Sequence, residues 1–345
     1  MSNPESSSAS LGSAFRALID ALRHFVQAPT PIVPIRTGRY PNFDILRLLL
    51  AIEVAFVHVG HSVDPKFSWN AYVIAVPAFL SISGFLVLQS YSESGSWTAF
   101  IRKRALRILP ALCVSLMLCL VLFGFAGMRN AFLNWITGGL YTLSGMANGP
   151  LWSLAWEELA YLLLAGLWLA GAYKRPFWIW MLLVVSTGIV WAGSNLDGHT
   201  RIILFLGPAF FIGNLMFLYR ARLLDVPSVV PWILFFIMLQ WRLVPAGTML
   251  GGASLVAFQA FAIVWVGMSG TRVIPFKFPD ISYGLYVYHA PIIIYLNSKY
   301  GIASWPEMAI WVPALVIPFC LASWYLVEKP ALRLKHRKRS VAATA

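Results

Sequence analysis

Residues 43–60 read Phe43-Asp44-Ile45-Leu46-Arg47-Leu48-Leu49-Leu50-Ala51-Ile52-Glu53-Val54-Ala55-Phe56-Val57-His58-Val59-Gly60. As an α-helix this stretch is about 27 Å long, close to the roughly 30 Å hydrocarbon core of a bilayer. It is apolar enough to enter lipid, yet it carries Asp44, Arg47, Glu53 and His58, each costly there. Arg47 and His58 are eleven positions apart, so at about 100° and 1.5 Å per residue they share one face to within about 20° and stand roughly 16 Å apart. The stretch predicts a membrane helix with a cation near one end and an imidazole near the other. Asp44, three residues before Arg47, is placed to pair with it. A structural ion pair with an interfacial histidine accounts for this spacing as well as a site does.

Further apolar runs follow near 71–91, 108–126, 150–170, 177–193, 201–219, 229–241, 248–268, 281–297 and 306–327. Together they predict an all-α polytopic membrane bundle of about ten helices over residues 41–328, after an N-terminal segment 1–40 and before a basic tail 329–345. The run 229–241 is short and opens among Pro227 and Pro231, so a tilted, broken or re-entrant segment is expected there. Of the residues 59% are hydrophobic and 11% charged, against about 25% charged in soluble domains; the mean hydropathy is +0.73. The loops hold no soluble catalytic domain, so any chemistry falls to side chains in the bundle or at its rims.

With both termini on the cytoplasmic side, 20 Lys and Arg residues face the cytoplasm and 5 the opposite side, with Arg47 inside the first span. This asymmetry follows the positive-inside rule and implies a multi-pass protein of the inner membrane. The net charge of +13 is then a matter of topology and anionic lipid, and no nucleic-acid partner is implied. Cys113, Cys119 and Cys320 all lie in spans and indicate neither a disulfide framework nor a metal site. Leu11, Phe15, Leu18, Ile19, Leu22, Phe25 and Val26 repeat at helical spacing, which predicts an interfacial helix.

Four more stretches place polar groups in or near lipid. Phe79-Leu80-Ser81-Ile82-Ser83-Gly84-Phe85 offers the small residues that tight helix packing uses. In Arg102-Lys103-Arg104-Ala105-Leu106-Arg107, ahead of Pro110, Arg104 and Arg107 are spaced to hold a phosphate-rich ligand, although positive-inside charge against lipid headgroups explains them too. Leu151-Trp152-Ser153-Leu154-Ala155-Trp156-Glu157-Glu158, followed by Tyr161, sets two carboxyls within two turns of a helix start. On a helix running inward they reach the level of His58, and a carboxylate beside an imidazole makes a general base; a structural role for one of them is equally open. In Asp280-Ile281-Ser282-Tyr283 through His289-Ala290-Pro291, Pro291 frees a backbone carbonyl that offers His289 a partner. Glu328-Lys329-Pro330 and the tail suggest a helix stop and a surface anchor.

In this order the segments resemble the acyltransferase family 3 membrane proteins, which include bacterial O-antigen and exopolysaccharide O-acetyltransferases. The likeness covers roughly residues 40–335. It rests on Arg47-x10-His58, Phe79 to Phe85, Arg104-x2-Arg107, Leu151 to Leu154 with Glu157-Glu158, Ile281-Ser282-Tyr283 through His289, and Glu328-x-Pro330. The resemblance implies transfer of an acyl group, acetyl above all, from cytoplasmic acyl-CoA to a hydroxyl of a cell-surface or lipid-linked glycan. It makes His58 the catalytic histidine, Arg47 its motif partner, Arg104 and Arg107 the donor-binding arginines, and Glu157 and Glu158 the paired glutamates. Asp44, Ser83, Trp152, Ser153, Tyr161, Tyr283 and His289 are further candidates. The chain departs from the pattern with Leu159-Ala160 where many members have Gln-Phe, and with Leu48 where glycine is common. A transporter or flippase of a lipid-linked glycan remains the competing reading, since intramembrane Arg, His and Glu also mark transport pathways.

The charge asymmetry gives a first prediction. Cysteine-accessibility labelling should find residues 1–40 and 330–345 on the cytoplasmic face and the 127–149 region on the other. Termini on opposite faces would contradict an even number of spans.

Overall fold

A computed structural model describes residues 40, 42–67, 75–140, 147–193, 198–227, 229–240, 249–269 and 279–334. The interfacial helix expected within 11–26 and the tail beyond residue 334 lie outside the described residues. Among the described residues, ten helices of twelve residues or more follow one another: α1 (Phe43–Val63), α2 (Ala75–Ser92), α3 (Trp97–Ile136), α4 (Trp152–Leu169), α5 (Pro176–Ala192), α6 (Gly198–Leu218), α7 (Val229–Gln240), α8 (Met249–Met268), α9 (Ser282–Tyr300) and α10 (Trp305–Ser323). The described residues are all-helical, as the apolar runs predict.

Among the described residues, four stretches are long and apolar enough by themselves to cross a membrane: Ala75–Ser92, Trp97–Ile136, Thr200–Leu218 and Trp305–Arg333. Helices α1, α4 and α9 are as long, but polar residues dilute them. These are the three helices that carry Arg47 and His58, the glutamate pair, and His289. The departure from simple anchor composition is therefore concentrated where chemistry is expected. Elsewhere, large apolar side chains such as Val121, Leu169 and Leu326 are more than two-thirds exposed. That would be an anomaly in water and is ordinary against lipid.

Helix α7 is twelve residues, about 18 Å, in keeping with the short run read there. Helix α3 corrects the expected loop at 127–149. It continues to Ile136 past Gly124, whose φ of 69° and ψ of −170° break the helix into two pieces. Only glycine adopts that conformation without strain.

Two close helix contacts hold the frame. Gly84 of α2 lies against the backbone of α6, so that a Cβ there would stand 2.3 Å from the Phe210 carbonyl oxygen. Reciprocally, a Cβ on Gly213 would stand 2.1 Å from the Ser81 carbonyl oxygen. The small residues of the Phe79–Phe85 stretch thus let two backbones meet. At the other contact, Asn42 donates its side-chain amide to the carbonyls of Val266 (3.3 Å) and Ser269 (3.1 Å). This ties the start of α1 to the end of α8.

Helix α10 ends in a π-turn, Trp324–Glu328, that leads into the short helix Lys329–Arg333. Glu328 is only 3% exposed and its Oε1 accepts from Ser323 Oγ at 3.2 Å. Glu328 itself is therefore no part of a surface anchor, whose basic tail lies outside the described residues: the wider turn directs its carboxyl into the bundle while Lys329 stays at the rim.

The α2–α6 contact predicts that Gly213→Ala destabilises the protein by roughly 1–3 kcal/mol, the usual cost of overpacking. Gly188 on α5, where an added Cβ meets nothing within 4 Å, is the control. Thermal unfolding of the purified variants should show a lowered midpoint for Gly213→Ala and none for Gly188→Ala.

Candidate functional site

Three polar clusters succeed one another along α1 and α9. At the basic end, Asp280, just ahead of α9, accepts from Arg107 Nη2 at 2.6 Å and faces Arg47 Nη1 at 3.6 Å. Its other oxygen accepts from Ser282 Oγ at 2.7 Å. Burial works against the charged carboxyl. The Arg107 and Arg47 charges, with the hydrogen bonds from Ser282 and Arg107, outweigh it and hold Asp280 well below the usual carboxylate range. Arg47 thus meets a carboxyl reached across the bundle, a partner that its spacing from Asp44 on its own helix does not announce. Arg104 donates from Nη2 to Ser90 Oγ at 2.9 Å. Its guanidinium lies 5.7 Å from the Tyr161 ring centroid, and its Nε is buried with no partner among the described residues.

In the middle, a cavity of about 50 Å³ is lined by Arg47, Ser83, Ser153, Glu157, Tyr283 and Tyr286 among apolar residues. That is room for a few waters. Glu157 Oε1 accepts from Ser83 Oγ at 2.5 Å and also from the Tyr161 hydroxyl. The Ser153 and Tyr286 hydroxyls are 2.5 Å apart, and each also lies 3.2 Å from the Pro150 carbonyl. Tyr283 donates to the Ile108 carbonyl at 3.0 Å. Glu158 and Trp152, both half-buried, do not belong to the lining.

At the far end, His58 meets His289. His58 Nδ1 lies 2.8 Å from the Val54 carbonyl, His289 Nδ1 lies 2.8 Å from the Leu285 carbonyl, and His289 Nε2 is 3.4 Å from His58 Nδ1. His58 also lines an open cleft of about 310 Å³ with His61, Ser62, Gly149, Asn297 and Ser298. The size falls at the lower end of small-molecule pockets, roughly 300–1,000 Å³. The Tyr286 ring, 6.3 Å from that of His289, stands between this pair and the middle cavity.

Two expectations change here. The glutamates do not partner His58, because α4 packs on α2 and α3 and Glu157 is drawn to Ser83. Nor does the carbonyl freed by Pro291 serve His289. Pro291 has no N–H for the Val287 carbonyl four residues back; that carbonyl accepts instead from Ser115 Oγ (2.9 Å) and Asn148 Nδ2 (2.8 Å). Asn148 in turn fixes the segment that opens α4, helped by Asn134, which donates to the Asn148 and Gly149 carbonyls at 2.9 and 2.7 Å.

Asp280, Tyr286 and Asn148 were not singled out by sequence reasoning. The signal for Asp280 was indirect: an arginine inside a span needs a carboxylate, and Asp280 opens the very stretch that leads to His289.

A family model described as an acyltransferase domain matches residues 40–328. The chain is 27% identical over 367 aligned residues to nodulation protein 10 of Rhizobium leguminosarum bv. viciae, covering 87% of this chain and 95% of that one. It is 29% identical over 333 residues to an O-acetyl transferase of Shigella phage Sf6, covering 87% and 98%. No solved structure matches.

The Asp280 cluster carries a pH-dependent prediction. Because folding depresses this carboxyl, its contribution is fully present above the unfolded value of about 3.9 and is lost only as pH falls through the lower folded value. Asp280→Asn should cost roughly 2 kcal/mol, below the range for a fully buried pair because the side chain is about a quarter exposed. The gap from wild type, measured by chemical unfolding in detergent, should stay constant from about pH 8 to pH 5 and shrink only in stronger acid.

Proposed function

The chain belongs to the acyltransferase family 3 of multi-pass membrane proteins, and on that premise we propose that it moves an acetyl group from cytoplasmic acetyl-CoA to a hydroxyl of a surface or lipid-linked glycan. The observation that carries this reading is the order of the three clusters: arginines at the basic end, a narrow polar cavity, then a histidine opening on a cleft at the far end. The O-acetyl transferase of Shigella phage Sf6 supports the acetyl group and the class of reaction. The protein sits in the inner membrane with both termini cytoplasmic, as the basic residues favour.

The donor phosphates bind at the basic end. Arg104, with its unpartnered Nε, makes the direct contact, and Arg107 and Arg47 share the single Asp280 carboxylate between two guanidiniums, so that the cluster stays cationic. The pantetheine arm then follows the middle cavity towards His58, over a distance comparable to the roughly 16 Å rise between Arg47 and His58. At about 50 Å³ the cavity is too small for the arm as it stands, and Tyr286 is the side chain that has to yield. Glu157 keeps Ser83 and Tyr161 in place along the route.

The chemistry falls to His58. Its ring takes the proton of the acceptor hydroxyl lying in the cleft, the oxygen attacks the thioester carbonyl, and the carbon–sulfur bond breaks. The leaving thiolate takes the proton back, which gives the glycan ester and free CoA. A second route has one specific observation behind it: the hydrogen bond from Ser83 to Glu157 would suit an acyl-serine intermediate.

General-base catalysis contributes roughly 10²- to 10⁴-fold, so His58→Ala should abolish nearly all transfer while acetyl-CoA still binds. Arg104→Ala should weaken acetyl-CoA binding. The measurements are mass analysis of the glycans and binding of labelled acetyl-CoA. Wild-type acylation by His58→Ala removes His58 from the chemistry, acyl label on Ser83 favours the covalent route, and glycan movement without any acyl donor favours a transporter.

A further inference from the structure

We propose that His289 is a positioning residue for His58: it helps keep the His58 proton on Nδ1, so that the bare Nε2 faces the cleft, and it supports the imidazolium formed when that nitrogen takes a proton. The proposal rests on the reading of His58 as the base.

The argument follows from donors and acceptors. Each Nδ1 lies 2.8 Å from the carbonyl four residues earlier on its own helix, Val54 for His58 and Leu285 for His289. A carbonyl only accepts, so in the neutral ring each Nδ1 bears the hydrogen. His289 Nε2 is then a lone pair, and it stands 3.4 Å from His58 Nδ1. The His58 N–H is thus shared between the Val54 carbonyl and His289 Nε2, a three-centre arrangement. The rings meet edge to face, 5.0 Å between centroids and 62° between planes.

Two acceptors on the Nδ1 proton fix the ring and raise the basicity of Nε2, the service a carboxylate gives an active-site imidazole elsewhere. Nothing else described supplies it, since Glu157 is turned to Ser83 and Tyr161. His289 itself is fully buried and does not line the cleft, so it acts through His58 and not on the acceptor. During transfer the acceptor's proton moves to His58 Nε2 and then to the CoA thiolate. His289 gains and loses none.

Two substitutions separate this role from packing. His289→Phe keeps an aromatic ring and removes the lone pair, whereas His289→Gln returns an acceptor oxygen. In membrane vesicles of the source organism supplied with radiolabelled acetyl-CoA, His289→Phe should lower kcat roughly 10²-fold and change the acetyl-CoA KM by less than about twofold. His289→Gln should recover about tenfold of that loss. A wild-type rate for His289→Phe, a Gln variant no better than Phe, or a loss confined to KM overturns the proposal.

His58→Ala in the same vesicles keeps the two readings apart. If it transfers at the wild-type rate, the function of His58 is wrong; if it is dead while His289→Phe is intact, only the present inference fails. Should His289→Phe not insert, 15N-histidine solid-state NMR of the wild-type protein decides. Both rings should show protonated Nδ1 and bare Nε2, and an Nε2–H tautomer at His58 contradicts the arrangement.

Discussion

Asp280 holds Arg47 of α1 and Arg107 of α3 from the head of α9. Leaving either guanidinium unpartnered in a low-dielectric bundle would cost several kcal/mol, so three helices are constrained to bring their polar groups to one point. With α1 and α9 pinned there, the His58–His289 contact falls about three turns further along α1 and about two and a half turns beyond Asp280 along α9. Two tethers at different heights fix the helices side by side and stop one from sliding past the other. The middle cavity occupies the interval between them, lined on its other sides by α2, α4 and Leu206 of α6. Removing the carboxylate therefore affects more than a local pair, since the register that aligns the far histidines begins with it.

Much of this was legible in residues 43–60 alone, because a helix carries its own geometry. The Arg47–His58 spacing fixes their common face and separation whatever surrounds them, and the apolar runs fix the number of helices. The pairings were not legible in the same way. Asp44 is near Arg47 in sequence and Asp280 is far, yet the distant carboxylate also meets the arginine. His58 likewise finds an imidazole from α9 where the sequence suggested a glutamate from α4. In each case the choice depends on which helices touch, and that is set by contacts such as Gly84 and Gly213 against opposing backbone, which sequence shows only as a small-residue stretch. Pro291 is an intermediate case. Its missing N–H announces a free carbonyl, but only the fold reveals that Ser115 and Asn148 take it.

The freed Val287 carbonyl also explains how the site keeps its parts in step. Through Asn148 it connects the interior of α9 with the turn that starts α4. The helix that bears His289 and the helix that bears Glu157 are thus coupled by a proline-made vacancy in a backbone ladder, a device available only where a neighbouring amide and hydroxyl can fill it. The Pro150 carbonyl in the same turn lies within hydrogen-bond distance of the Tyr286 and Ser153 hydroxyls, so the side chain that separates the cavity from the histidines is held by the same segment.

The π-turn at Trp324–Glu328 sets how this chain tolerates length changes. A π-turn accommodates about one residue more than an α-turn, so everything after it is rotated by about 100° relative to an uninterrupted helix. Deleting one residue between 324 and 327 would remove that extra residue and let α10 run on regularly with Glu328 still turned into its pocket, whereas straightening the turn at unchanged length would swing the carboxyl out by that angle. Among relatives, a gap of a single residue should therefore be tolerated in this turn better than in the regular helix before it, while the exposed apolar flank of α10 can drift in sequence as long as it remains soluble in lipid.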